Sequence, residues 1–91
     1  MSSFLKRYTV SVLRQRFGTE WSDLGADHAA LVLADFHALC TEEYDAFDDT
    51  NAASEDAIDL AGIEYRRSIG GGNLKAYAET LAVGARRNVV A

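Results

Sequence analysis

Between Ala26 and Phe47 the stretch ADHAALVLADFHALCTEEYDAF repeats its apolar side chains at intervals of three and four residues. Ala29, Val32, Leu33, Phe36, Leu39, Cys40, Tyr44 and Phe47 thereby share one broad face at the period of an α-helix. No proline occurs in the 91 residues to interrupt such a helix, and few segments alternate with the period of a strand. These constraints predict an all-α fold, a small four-helix bundle or orthogonal helical cluster. A single domain over 1–91 is expected, with helices over about 3–17, 26–46, 55–69 and 73–87.

The other segments fit that plan. In the first, Phe4, Leu5, Tyr8 and Val12 share a face, with Val10, Leu13 and Phe17 on a neighbouring one. Its β-branched run YTVSVL also suits a strand. In the connector FGTEWSDLGAD, Gly18 fits the position just past a helix end, and Thr19, Ser22 or Asp23 could cap the next helix. Trp21 is expected to cover the core. Ser54 reads as an N-cap, with Glu55 and Asp56 in the first turn and Ile58, Ala61, Gly62, Tyr65 and Ile69 facing inward. The glycines at 70–72 read as a hinge or helix stop. After them Leu74, Tyr77, Ala78, Leu81 and Ala85 form the last inward face.

Size and composition narrow the function classes. A chain of this length buries roughly 60–65% of its unfolded surface, enough for a thin core or shallow groove but not for a separate cofactor domain. One cysteine, Cys40, excludes an intramolecular disulfide framework. The opening MSSFLKRYTVSVLRQRFG lacks the apolar core and cleavage site of a secretory signal, and no stretch reaches the roughly 20 apolar residues that span a bilayer. A cytoplasmic chain with no membrane partner is therefore expected.

Charge is sorted into blocks beneath a net of −5. Residues 1–17 carry Lys6, Arg7, Arg14 and Arg16 with no acid. Residues 18–65 carry thirteen acids and no Lys or Arg, and residues 66–91 carry five bases against Glu79. The blocks either neutralise one another inside the monomer or face outward to select partners. Exposed ion pairs contribute typically below about 1 kcal/mol, whereas summed fields strongly steer association. Recognition is the better use of such blocks.

The expected partner-binding surface is Glu42, Glu43, Asp45, Asp48, Asp49, Glu55, Asp56 and Asp59. Arg7, Arg14, Arg66, Arg67, Arg86 and Arg87 form the basic surface, and Ala30, Ala34 and Ala38 a smooth strip for close helix contact in this chain or with a second copy.

Chemistry finds little support. An EF-hand loop beginning at Asp49 places Ala53 at a ligand position, and one beginning at Asp48 places Thr50 and Ala52 there, so neither register works. His28 with Asp35, or His37 with Cys40 and Glu43, make a poor metal set, and the Glu-x-x-His pairs of a di-iron bundle are missing. Cys40 sits mid-helix next to Glu42 and Glu43, a setting that suppresses a thiolate. No catalytic residue, cofactor or metal ligand is expected, and the chain reads as a non-enzyme. The acidic middle argues against direct nucleic acid binding. The expected function is a non-enzymatic adaptor or inhibitor whose acids bind a protein partner with a basic surface, in one form by imitating nucleic acid phosphates. The alternative is a small self-assembling subunit, by analogy with phage accessory proteins, whose basic ends meet the acidic middle of neighbouring copies. A homo-oligomer, dimer or higher, is the expected state, although the inhibitor reading also allows a monomer.

Overall fold

The computed structural model describes residues 3–46, 51–69 and 73–90, and the side chains of 7–46, 55–69 and 73–85. It is all-α: α1 (Ser3–Phe17), α2 (Thr19–Ser22), α3 (Ala26–Tyr44), α4 (Asn51–Ser68) and α5 (Leu74–Val90). The β-branched YTVSVL lies within α1, so the strand alternative for it fails. Its Val12 and Leu13 are buried beside Thr9 and Phe17, and tertiary burial overrides the weak local preference for strand.

Helix ends follow local chemistry, not always as the sequence suggests. α1 stops at Gly18, which takes φ 58° and returns its N–H to the Arg14 carbonyl at 2.8 Å. The connector then forms one further helical turn, α2, beyond the four helices expected. Thr19 and Ser22 are absorbed into that turn and Asp23 caps its end, so none of the three caps α3. Gly25 holds the N-cap of α3 in extended backbone, and no side chain caps it. α3 ends at Tyr44, two residues before the expected boundary, because Asp45 turns left-handed at φ 53°. The N–H groups of Asp45 and Ala46 then both reach the Cys40 carbonyl. α4 begins at Asn51, which puts Ser54 inside the helix and not at its cap. At α5, Asn73 Oδ1 accepts the Ala76 N–H at 3.3 Å, the bond of a side-chain N-cap.

The core is drawn from the predicted faces. Val32, Phe36 and Cys40 of α3, Ile58, Ala61 and Tyr65 of α4, and Leu74 and Ala78 of α5 are all buried. Trp21, Leu33, Leu39 and Tyr44 pack half-buried against them. Phe4, Leu5 and Phe47 of the expected faces lie outside the described side chains. Each fully buried large apolar side chain contributes on the order of 1.5–3 kcal/mol.

Tyr65 ties four elements together. Its ring centroid is 5.2 Å from that of Phe36 in α3, 6.1 Å from Phe17 in α1 and 5.8 Å from Tyr77 in α5. Two of these pairs are edge-to-face, the geometry the ring quadrupole favours. Where α1 packs on α4, Gly62 allows close approach, since a Cβ there would stand 2.6 Å from Val12 Cγ1.

Candidate functional site, an acidic groove and a basic helix face

Among the described residues, the acids do not gather into one array. Those of α3 line a groove of about 270 Å³ between α3, α4 and α5, with Asp35, Glu42 and Glu43 over a floor of Ala38 and Leu39. Tyr65, Ser68 and Tyr77 close its far wall. The groove continues past Leu39, Glu43 and Ser68 into a second hollow of about 450 Å³, where Glu64 and Tyr44 join the lining.

At the groove base, the hydroxyls of Tyr65 and Tyr77 both donate to Asp35 Oδ2, at 3.0 and 2.5 Å. One carboxylate of α3 thus fastens α4 and α5. Burial, with Asp35 beside it, raises the Tyr65 hydroxyl well above its ordinary value, and burial and the Asp35 hydrogen bond push Tyr77 up to about 12.

The α4 acids other than Glu64 belong elsewhere. Asp59 accepts the Tyr8 hydroxyl of α1 on both oxygens, at 3.0 and 3.1 Å. Burial, that bond, and the charges of Asp59, Glu55 and Asp56 raise the Tyr8 hydroxyl. Asp59 is therefore a helix-to-helix tether, Glu55 is half-buried and Asp56 is exposed. Asp45 is exposed and serves as the left-handed stop of α3. Asp48 and Asp49 lie outside the described residues. Among the described residues, the ion pairs are Arg66–Glu20 at 3.5 Å and Arg67–Glu64 at 3.4 Å. Glu42, Glu43, Asp45, Glu55 and Asp56 take part in neither.

The basic residues divide in the same way. Arg7 and Arg14 are exposed on α1, where with Val10 and Ser11 they line a hollow of about 350 Å³. Arg66 is structural: besides pairing with Glu20, it lies 5.3 Å over the Phe17 ring. Glu20 in turn accepts the Leu74 N–H at 3.2 Å, so α2 joins the ends of α4 and α5. Arg67 is exposed beside Glu64. The side chains of Arg86 and Arg87 lie outside those described. Ala30, Ala34 and Ala38 are exposed, so the smooth strip meets no helix of this chain among the described residues.

Cys40 is fully buried and its thiol is pushed up to about 12 by burial, the condition of a packing residue. His28 and His37 are half-buried. Among the described residues, no three His, Cys, Asp or Glu side chains gather to hold a metal ion, and no helix is long and apolar enough to cross a membrane.

Asp35, Glu64, Tyr65, Ser68 and Tyr77 were not foreseen as groove residues. Tyr65 and Tyr77 lay on predicted inward faces. The one available signal was Asp35, a lone carboxylate between Leu33 and Phe36 and seven residues before Glu42. In comparisons with known proteins, the chain matches no family model, no curated protein and no solved structure.

Proposed function

We propose that this protein is a non-enzymatic protein–protein interaction module, an adaptor or inhibitor, that binds a basic partner through its acidic groove. The observation that carries the reading is the state of Glu42 and Glu43. Both are exposed at a groove with an apolar floor, and neither is in an ion pair among the described residues. A lysine or arginine suits such a place, because its stem covers apolar surface while its head meets carboxylate. The surrounding acids would speed encounter through their summed field. Division of the acids between two surfaces favours a short basic segment over imitation of a long phosphate array.

The test is titration of an arginine-rich peptide into the native chain and into the Glu42→Lys, Glu43→Lys variant, followed by fluorescence anisotropy. The native chain should bind with an affinity that falls as salt rises, and the variant should bind at least roughly tenfold more weakly. Equal affinity for the two forms overturns the reading.

A further inference from the structure

We infer that the basic partner is a second copy of this chain, whose α1 face seats in the groove between α3, α4 and α5. The inference rests on the acidic groove being a binding surface and goes further by naming what fills it. It is carried by a match of register. Arg7, Val10, Ser11 and Arg14 line the α1 hollow at positions i, i+3, i+4 and i+7. Asp35, Ala38, Leu39 and Glu42 line the groove on α3 at the same spacing. Each face carries two like charges about 10.5 Å apart along its helix, from seven residues at the α-helical rise. Small or apolar side chains lie between them, and the two faces have opposite sign.

Laid antiparallel, the faces set Arg7 against Glu42 and Arg14 against Asp35. The same register sets Val10 against Leu39, apolar on apolar, and the small Ser11 against Ala38. The exposed strip of Ala34 and Ala30 continues beside Ala38 and leaves room for the incoming helix. The charges are available. Arg7, Arg14 and Glu42 are in neither of the ion pairs among the described residues, and Asp35 spends only Oδ2 on the tyrosine hydroxyls.

The two faces lie on different helices of one chain, so two copies either seat each other's α1 reciprocally in a closed pair, or leave one free face of each kind and propagate head to tail until they close into a ring. Eight residues of helix make a small interface, which belongs with weak, salt-sensitive association.

Sedimentation velocity over a concentration series tests the proposal. The native chain should associate at low ionic strength, with affinity falling roughly tenfold or more as salt is raised to about 0.5 M. Arg7→Ala with Arg14→Ala removes both charges of one face, and Glu42→Ala with Glu43→Ala takes Glu42 from the other while sparing the Asp35 tether, so neither variant alone should associate as the native chain does. Mixed in equal amounts they should form a one-to-one heterodimer and nothing larger, because one complementary pair of faces remains.

A native chain that stays monomeric at low salt and millimolar concentration overturns the inference. So does a mixture that stays monomeric, or a variant that associates like the native chain. The salt series on the native chain needs no substitution and stands even if a variant folds poorly. The peptide titration above separates the two readings. A monomeric native chain that still binds the arginine-rich peptide through Glu42 and Glu43 sinks the self-association alone.

Discussion

At Gly62 two effects of opposite sign compete, and their magnitudes settle the outcome. Alanine inside a helix is favoured over glycine by about 0.8–1 kcal/mol, because glycine loses more backbone freedom on folding. Against that gain, the added Cβ would stand 2.6 Å from Val12 Cγ1 and 3.5 Å from Arg16 Cγ. Val12 is itself buried, so the seam between α1 and α4 must open to admit the methyl group. Overpacking of that kind costs about 1–3 kcal/mol. Gly62→Ala should therefore destabilise the chain by about 1 kcal/mol net, read as a lower urea midpoint at unchanged slope. In the double variant with Val12→Ala, the two losses should sum to less than their separate values, since the smaller residue removes the clash. A Gly62→Ala chain as stable as the native one would mean that the helices can separate freely there. The sequence marks Gly62 as inward-facing, but it does not say which side chain presses on it.

Among the elements, the Asp35 tether deserves a physical test, because one carboxylate fastens α4 and α5 to α3 through two tyrosine hydroxyls. Both hydroxyls, and that of Tyr8, lose their protons less readily in the folded chain than at the ordinary tyrosine value of 10.0. The sign follows from linkage. Above pH 10 the unfolded chain releases these protons first, so it binds fewer than the folded chain and stability falls as pH rises. The contribution is complete below pH 10 and is lost through the folded-state value, which for Tyr77 is about 12. Cys40, shifted from 9.0 to about 12, opens the same window one unit earlier. Melting temperature should thus start to fall near pH 9 and fall faster past 10. Tyr65→Phe should make the fall above pH 10 shallower, because the variant has one fewer raised proton to lose. An unchanged slope would show that the hydroxyl is not held as described.

The same elements show what local pattern does and does not reveal. Helix identity and inward faces followed from spacing, because apolar periodicity reports burial directly. The tether did not, since it joins residues 30 and 42 positions apart and polar contacts at that range leave no periodic trace. α2 was missed because Thr19 and Ser22 suit a cap and a turn equally well. Of the predicted acids, those of α3 reached the groove. Asp59 looked identical in sequence but was claimed by Tyr8.

For the molecule as a whole, charge placement should make salt act in two directions at once. If the basic ends had neutralised the acidic middle within one chain, screening would weaken attractive pairs and lower stability. Among the described residues, however, only Glu20 and Glu64 meet an arginine, each at the long end of ion-pair range, while Glu42, Glu43, Asp45 and Asp56 stand exposed. With a net charge of −5, self-repulsion should outweigh those two surface pairs, each worth less than about 1 kcal/mol. Raising salt from about 0.02 to 0.2 M shortens the Debye length from roughly 20 Å to below 10 Å, which relieves the repulsion. The melting temperature of dilute chain should rise by about 2–5 °C over that range, equivalent to less than about 1 kcal/mol for a domain of this size. Association through the groove should weaken over the same range. Calorimetry on dilute protein and sedimentation on concentrated protein read the two effects separately. A melting temperature that fell with salt would place the acids in attractive pairs, and the groove would then have no free carboxylates to offer a partner.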